Sequence, residues 1–409
     1  MAYTLISTIG TGMYKDPNKG IYDGYQKTEY IFSNGFKFET RLFSQAVLKS
    51  RKDINQLILL GTNTSSWDCL VTEDANLWET LVAECESEKE DKRSIGVTRE
   101  NLDKLEKYLS KRLCIDVVIK AHSDKIDDNT SEEIFNCYTN VIKEYVKDDN
   151  NILFDITHGF RSMPVLQFQA FQYSLSKFDA NRNVEIIYGE YNNISKKGYA
   201  RSLSSYWKYS ELSTALDVFE SKLDGSRLAD LVKNEWEDGS EVVRKFSEIV
   251  KANFAFQIFG MKKKIAKALL SYPQNASTQL SKVKEILEPI VSLIDKNDKP
   301  RSLRNYSKFL YDHHLYVQAV ITLQVAVEAS FVAKYGTDAD YGDYEWWQNK
   351  GKSYYRDDDL RKLEYFRNQV AHGGNKDKKT DEFPQVIDIQ KFYENGLRGV
   401  ENLFKELGI

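Results

Sequence analysis

Hydrophobic and polar positions follow two rhythms along the chain. In the first half, apolar blocks of strand length alternate with stretches of helical spacing. Tyr3–Ile9 and residues 56–60, 113–120, 152–156 and 184–188 are the strand-length blocks. Residues 41–50, 131–146 and 165 to about 178 carry apolar positions at the spacing of one helix face. Residues 30–40 place Asn34-Gly35 between two aromatic-rich runs, a β-hairpin signal. Strands joined by helical crossovers predict a largely parallel, doubly wound sheet. A ligand on such a sheet sits beyond the carboxyl ends of the strands. Three polar loops hold that position: residues 10–14, 61–67 and 157–162.

After about residue 200 the strand signals fade. Residues 211–223, 240–259, 262–272 and 279–294 have helical apolar spacing, and 297–300 (Asn-Asp-Lys-Pro) breaks the chain. Tyr316–Tyr335 is the most apolar helix of this half, with Gln324 and Glu328 set inside it. A last helix is expected over 360–371. Trp346-Trp347 precedes it and suits packing between helices better than stacking on a base. The expected architecture is an α/β domain over 1–200 followed by an all-α region over 201–409.

At 409 residues one core is unlikely to suffice, and two or three domains are expected. Net charge is −4, from 57 Lys and Arg against 61 Asp and Glu. That balance argues against a protein that coats duplex DNA, and no DNA partner is expected. It leaves room for a local anion site. Cys69, Cys85, Cys114 and Cys137 lie far apart with no C-x-x-C pair, so they read as reduced thiols rather than a disulfide frame or a zinc site. No uninterrupted apolar run approaches a membrane span, and the first residues read as a strand rather than a signal peptide. A cytoplasmic protein with no membrane partner is the expectation. Residues 85–111 are charge-rich and read as a solvated loop or exposed helix.

Two clusters carry candidate chemistry. The first is Asp155-Ile156-Thr157-His158-Gly159-Phe160-Arg161-Ser162-Met163-Pro164, where a buried-strand pattern runs into a Gly-containing loop and then a helix. Pro164 suits a first helical turn, and a helix N-terminus after a strand favours anions. Thr157, His158, Arg161 and Ser162 are all phosphate- or ribose-compatible. A tight turn capped by hydroxyls accounts for Ser162 and Pro164, but not for a His and an Arg in the same loop. The second cluster is Arg367-Asn368-Gln369-Val370-Ala371-His372, followed by Gly373-Gly374, a helix C-cap signal. Asn368 and His372 share a helix face. RNA cleavage by its own 2′-hydroxyl needs a group titrating near neutrality and a fixed cation for the phosphoryl oxygens. Histidine and arginine supply these, and Asn368 can orient either. An ordinary polar helix end is the alternative.

The first cluster resembles the D-x-T-H-G-F-R-x-x-P signature of CRISPR-associated CARF proteins. The second resembles the R-x4-6-H motif of HEPN ribonucleases. CARF first and HEPN last is the order of the type III CRISPR accessory ribonucleases. The resemblance implies a Rossmann-like CARF domain followed by a helical HEPN domain. It implies a cyclic oligoadenylate activator, with cyclic tetra-adenylate the commoner ring and cyclic hexa-adenylate the other, and no other cofactor and no metal. Its ligand site would comprise Asp155, Thr157, His158, Gly159, Phe160, Arg161 and Ser162 with Gly10, Thr11, Gly12 and Tyr14. The loop residues Thr62, Asn63 and Ser65 share that end of the sheet. Catalysis would fall to Arg367, Asn368 and His372, cutting single-stranded RNA to a 2′,3′-cyclic phosphate. A homodimer, or a larger assembly of dimers, would bring two such sets together. Slow cleavage of the activator by the CARF loop stays open. So does a ligand sensor that acts through its helical half without cutting RNA. A dehydrogenase-type nucleotide fold is a weak alternative, because Gly10-Thr11-Gly12-Met13-Tyr14-Lys15 lacks the third glycine.

Overall fold

The computed structural model describes residues 2–12, 25–86, 96–122, 128–147, 150–159, 163–175, 182–354, 358–371 and 386–409. It divides into two compact units, Met1–Tyr209 and Ser210–Ile409.

The first unit runs β1 (Tyr3–Ile9), β2 (Thr28–Ile31), β3 (Lys37–Thr40), α1 (Phe43–Ser50), β4 (Ile54–Thr62), α2 (Ala75–Glu86), α3 (Arg99–Leu113), β5 (Asp116–His122), α4 (Asp128–Tyr145), β6 (Asn151–Asp155), α5 (Met163–Leu175), β7 (Val184–Asn192) and β8 (Lys197–Ser202). The helix α6 (Ser204–Lys222) follows and continues into the second unit. The strands form one sheet in the order β3-β2-β8-β7-β6-β1-β4-β5.

Residues alternate between the two faces of this sheet. Leu5, Leu57, Leu59, Val117, Ile119 and Leu153 pack with α1, α2 and α3. Their neighbours Ile6, Ile58, Leu60, Val118, Ile152 and Phe154 pack with α4 and α5. Burial on both faces is why these strands read as continuous apolar runs.

The sheet is largely parallel, as expected, and becomes mixed toward one edge. β5, β4, β1, β6 and β7 pair in parallel. β8 then returns antiparallel to β7, β2 lies parallel to β8, and β3 is antiparallel to β2. β8 reads Lys-Gly-Tyr-Ala-Arg-Ser and is only partly buried, so it carries no apolar run to reveal it. Its turn is closed by the Asn192 side chain, which accepts the N–H groups of Ile194 and Ser195, both at 2.9 Å. The start of β5 also shifts. Leu113 ends α3, and Cys114 at φ 55° caps it, so the strand begins at Asp116.

The second unit holds α7 (Ser226–Val232), α8 (Glu237–Ala252), α9 (Ile258–Leu270), α10 (Thr278–Leu293), α11 (Lys299–Asp312), α12 (Tyr316–Tyr335), α13 (Tyr344–Asn349), α14 (Asp358–Ala371) and α15 (Val386–Leu407). The single helix expected over 240–259 is two, because Asn253 takes φ 53° and ends α8. The break at 297–300 is a helix start: the Asp298 carboxylate accepts the Arg301 N–H at 3.1 Å, and Pro300 sits in the first turn of α11. α12 has the length and apolarity to cross a membrane. Here it is a core helix contacted by α11, α14 and α15. The Ser307 hydroxyl donates to the Ala319 carbonyl at 2.7 Å and lies 3.0 Å from the Tyr393 hydroxyl, tying α11, α12 and α15 together.

Candidate functional site

In the first unit the strand order reverses at β1. From β1 the sheet grows to β4 and β5 on one side, and to β6 and β7 on the other. The crevice between the ends of β1 and β6 is therefore the switch point where doubly wound sheets bind ligands. Gly10, Thr11 and Gly12 leave β1 there, and Thr157, His158 and Gly159 follow β6. A Cβ on Gly10 would stand 3.0 Å from the Gly159 Cα and 3.1 Å from its nitrogen, so the two loops meet backbone to backbone. Gly12 at φ 73° and Gly159 at φ 122° adopt conformations that other residues rarely take. The Thr8 hydroxyl donates to the His158 carbonyl and stitches the loops together.

Most polar side chains of this cluster are consumed by the scaffold. Asp155 is buried; its Oδ2 accepts the Ser7 hydroxyl at 2.6 Å and its Oδ1 accepts the Thr157 N–H at 2.9 Å. Burial pushes its carboxyl above the usual range, while those two hydrogen bonds pull it back. The Thr157 hydroxyl accepts the Gly189 N–H of β7 at 2.8 Å. The His158 Nε2 accepts the Phe43 N–H at 3.0 Å, which caps the start of α1. Burial lowers the imidazole to about 4, so the ring is neutral with its proton on Nδ1.

The third loop is braced in the same way. Ser65 Oγ donates to the Ile9 carbonyl and accepts the Thr62 N–H, both at 2.8 Å. The Ser66 N–H reaches the Gly10 carbonyl at 2.9 Å. Thr62 and Ser65 are buried, whereas Asn63 is exposed. The structure thus brings Gly10, Thr11, Gly12, Thr62, Asn63, Ser65, Asp155, Thr157, His158 and Gly159 to one end of the sheet. Tyr14, Phe160, Arg161 and Ser162 lie outside the described residues.

Sequence reading missed Tyr25, Ser7, Thr8 and Gly189. The Tyr25 hydroxyl accepts the Gly10 N–H at 2.9 Å, and its ring meets His158 edge-on at 4.4 Å. Burial raises its phenol to about 12. Nothing in the sequence singles it out among 25 tyrosines. What this crevice offers chemically is glycine backbone at close approach, a shape suited to an anionic ligand.

The second unit places the other cluster near the end of α14. Leu360, Leu363 and Phe366 bury one face of this helix, and Phe366 stacks on Phe392 of α15 at 4.5 Å. Arg367 follows at the edge of that face with its side chain 25% exposed, and Asn368 is exposed. The Arg367 Nη2 stands 3.5 Å from Glu328 Oε1 of α12, a long contact, and its Nε is buried with no hydrogen-bond partner among the described residues. His372 lies outside the described residues. Among the described residues no group of three or more His, Cys, Asp or Glu is placed to hold a metal.

Comparisons with known proteins bear on the first unit most directly. Residues 4–193 match the family model described as CRISPR system endoribonuclease Csx1, CARF domain. The chain is 24% identical over 444 aligned residues to CRISPR-associated protein MJ1674 of Methanocaldococcus jannaschii, across 100% of this chain and 67% of that protein. Among solved structures, Enterococcus italicus Csm6 bound to cyclic hexa-2′-fluoro-hexa-dAMP aligns over 100% of this chain and 94% of its own, with 10% identity and a TM-score of 0.42. Residues 4–193 are thus similar to a CARF domain, and the whole chain is similar to a CRISPR-associated protein.

Proposed function

We propose that this protein is a cyclic oligoadenylate-activated, metal-independent endoribonuclease that cuts single-stranded RNA in antiviral defence. The observation that carries the reading is the state of Arg367. Among the described residues its side chain is 25% exposed, its Nε has no acceptor, and Glu328 stands at the limit of hydrogen-bond reach. A fixed cation left short of acceptors is poised for an anion such as an RNA phosphate. Its neighbour Asn368 is exposed, and residues 4–193 of the same chain match a CARF-domain family model.

In this reading the activator lies over the Gly10–Gly159 crevice, near Asp155, Thr157, His158 and Gly159, as the CARF resemblance implies. Residues 201–409 contain the HEPN domain. Two copies assemble, so that two sets of Arg367, Asn368 and His372 form one composite site. The 2′-oxygen of the RNA attacks the adjacent phosphorus, a new P–O2′ bond forms, and the P–O5′ bond breaks. One histidine takes the 2′-hydroxyl proton and another supplies a proton to the leaving 5′-oxygen. Arg367 stabilises charge on the phosphoryl oxygens, and Asn368 orients the phosphate or the imidazole. The activator switches cleavage on through a differential affinity for two arrangements of the dimer. The protein works in the cytoplasm.

The test is a quenched-fluorescent single-stranded RNA incubated with the protein in EDTA, with cyclic tetra-adenylate, cyclic hexa-adenylate or neither. Cleavage dependent on one ring is the expected outcome. Ring binding without any cleavage would favour a sensor that does not cut RNA.

A further inference from the structure

α12 is apolar almost all round, yet two of its polar residues point toward the α14 helix that carries Arg367. Gln324 is fully buried, and one turn later Glu328 is 25% exposed at its side chain. Glu328 Oε1 accepts from Gln324 Nε2 at 3.4 Å and from Arg367 Nη2 at 3.5 Å. Burial pushes the Glu328 carboxyl above its ordinary range, Arg367 and Gln324 pull it back, Glu364 adds to the rise and Lys352 opposes it. Glu364 is itself held by Lys352 at 3.1 Å, which leaves Glu328 as the acid that touches Arg367 among the described residues.

A carboxylate at this place is a poor way to stabilise a helix packing. Apolar residues of similar volume commonly replace such pairs at no cost, or with a gain. The contact is also single-pointed, through one nitrogen of a group that has five N–H donors. A pair built for stability would be short and two-pronged. A single long contact orients a guanidinium without using all of its donors.

We infer that Glu328, steadied by Gln324, is a positioning residue that holds the Arg367 guanidinium in place for the RNA phosphate. This rests on the ribonuclease reading given above. Glu328 touches no substrate; it acts through Arg367.

The experiment measures kcat and KM for the quenched RNA at saturating activator in wild type, Glu328→Leu and Glu328→Gln. Activator binding and thermal melting are measured alongside. Glu328→Leu keeps the packing volume and removes the acceptor. It should melt lower than wild type, because Arg367 loses its carboxylate and Gln324 Nε2 its acceptor, but stay folded at the assay temperature, bind activator normally and lose roughly 30- to 100-fold in kcat, the scale of a misplaced catalytic group. Its KM should stay within about threefold. Glu328→Gln retains a carbonyl that accepts from Arg367 and should recover most of the lost kcat. A stable Glu328→Leu with wild-type kcat overturns the inference alone. So does a Glu328→Gln as inactive as Glu328→Leu with both melting early, because the role would then be structural. A wild type that stays silent with both rings, while Arg367→Ala changes nothing, overturns the ribonuclease reading and this inference with it.

Discussion

The two polar clusters of this protein satisfy their side chains in opposite ways. At the β1–β6 crevice nearly every described polar side chain is already occupied. Asp155 serves Ser7 and Thr157, Thr157 serves Gly189, His158 serves Phe43, and Ser65 serves Ile9 and Thr62. Ligand contacts there fall to backbone held by glycine. On α14 the reverse holds: among the described residues Arg367 keeps a buried Nε without an acceptor and one long contact to Glu328. The lesson is physical. A site that recognises shape can spend its side chains on rigidity, whereas a site that stabilises developing charge must leave a charged donor unspent.

The largest test of this contrast is Arg367→Ala. Losing the unspent cation should lower RNA cleavage about 10²- to 10³-fold, the usual cost of removing one charge-stabilising donor. Activator affinity, measured by titration calorimetry, should not move. An equal loss in both would abolish the distinction between the clusters.

Next is Asp155→Ala, which strips partners from the buried Ser7 hydroxyl and the Thr157 N–H. Leaving buried donors unpaired should cost about 2–3 kcal/mol in chemical denaturation. If Asp155 instead contacts ligand directly, affinity will fall with no change in stability.

His158→Gln sharpens the claim that this histidine is a neutral acceptor. The unfolded chain takes up its proton near 6.5, while the folded ring does so only near 4. Across that window the unfolded state binds more protons, so the wild-type ring makes stability rise with pH. Asp155, with its raised carboxyl, works in the opposite sense. The informative quantity is therefore the difference between wild type and variant. The variant should lose up to roughly 2–3 kcal/mol of that acid-side dependence. Identical pH profiles would mean that the ring takes up its proton in the folded protein as it does in the unfolded chain, and is no obligate acceptor.

The smallest expected effect is that of Tyr25→Phe. It removes the acceptor of the Gly10 N–H and should cost about 1 kcal/mol of stability. Activator affinity should fall only slightly, because the glycine contact itself remains. A large affinity loss would promote Tyr25 to a ligand contact.

Much of the scaffold was legible beforehand. The strands of the sheet centre were readable because both of their faces are buried, and the hairpin was readable from Asn34-Gly35, where Gly35 takes φ 84°. β8 was not, since a polar edge-side strand has no apolar period. α11 was hidden by Pro300, whose place in a first turn resembles a break. The ligand-loop motif and the Arg367-Asn368 pair could be located as candidates. Which of their atoms were already spent could not, because each partner lies far away in the chain: Ser7 to Asp155, Phe43 to His158, and Glu328 to Arg367.

Local pattern thus determined the alternation of strand and helix, the glycines that shape the β1 and β6 loops, and the residue types brought to each cluster. These follow from periodicity and from backbone sterics, which act over a few residues. The tertiary structure decided that the sheet is mixed, that the strand order reverses between β1 and β6, and that an apolar helix of membrane length is a protein core. It also decided that His158 is an acceptor and Arg367 an under-satisfied cation. Hydrogen-bond occupancy and desolvation depend on what packing brings together, and that is a property of the folded chain alone.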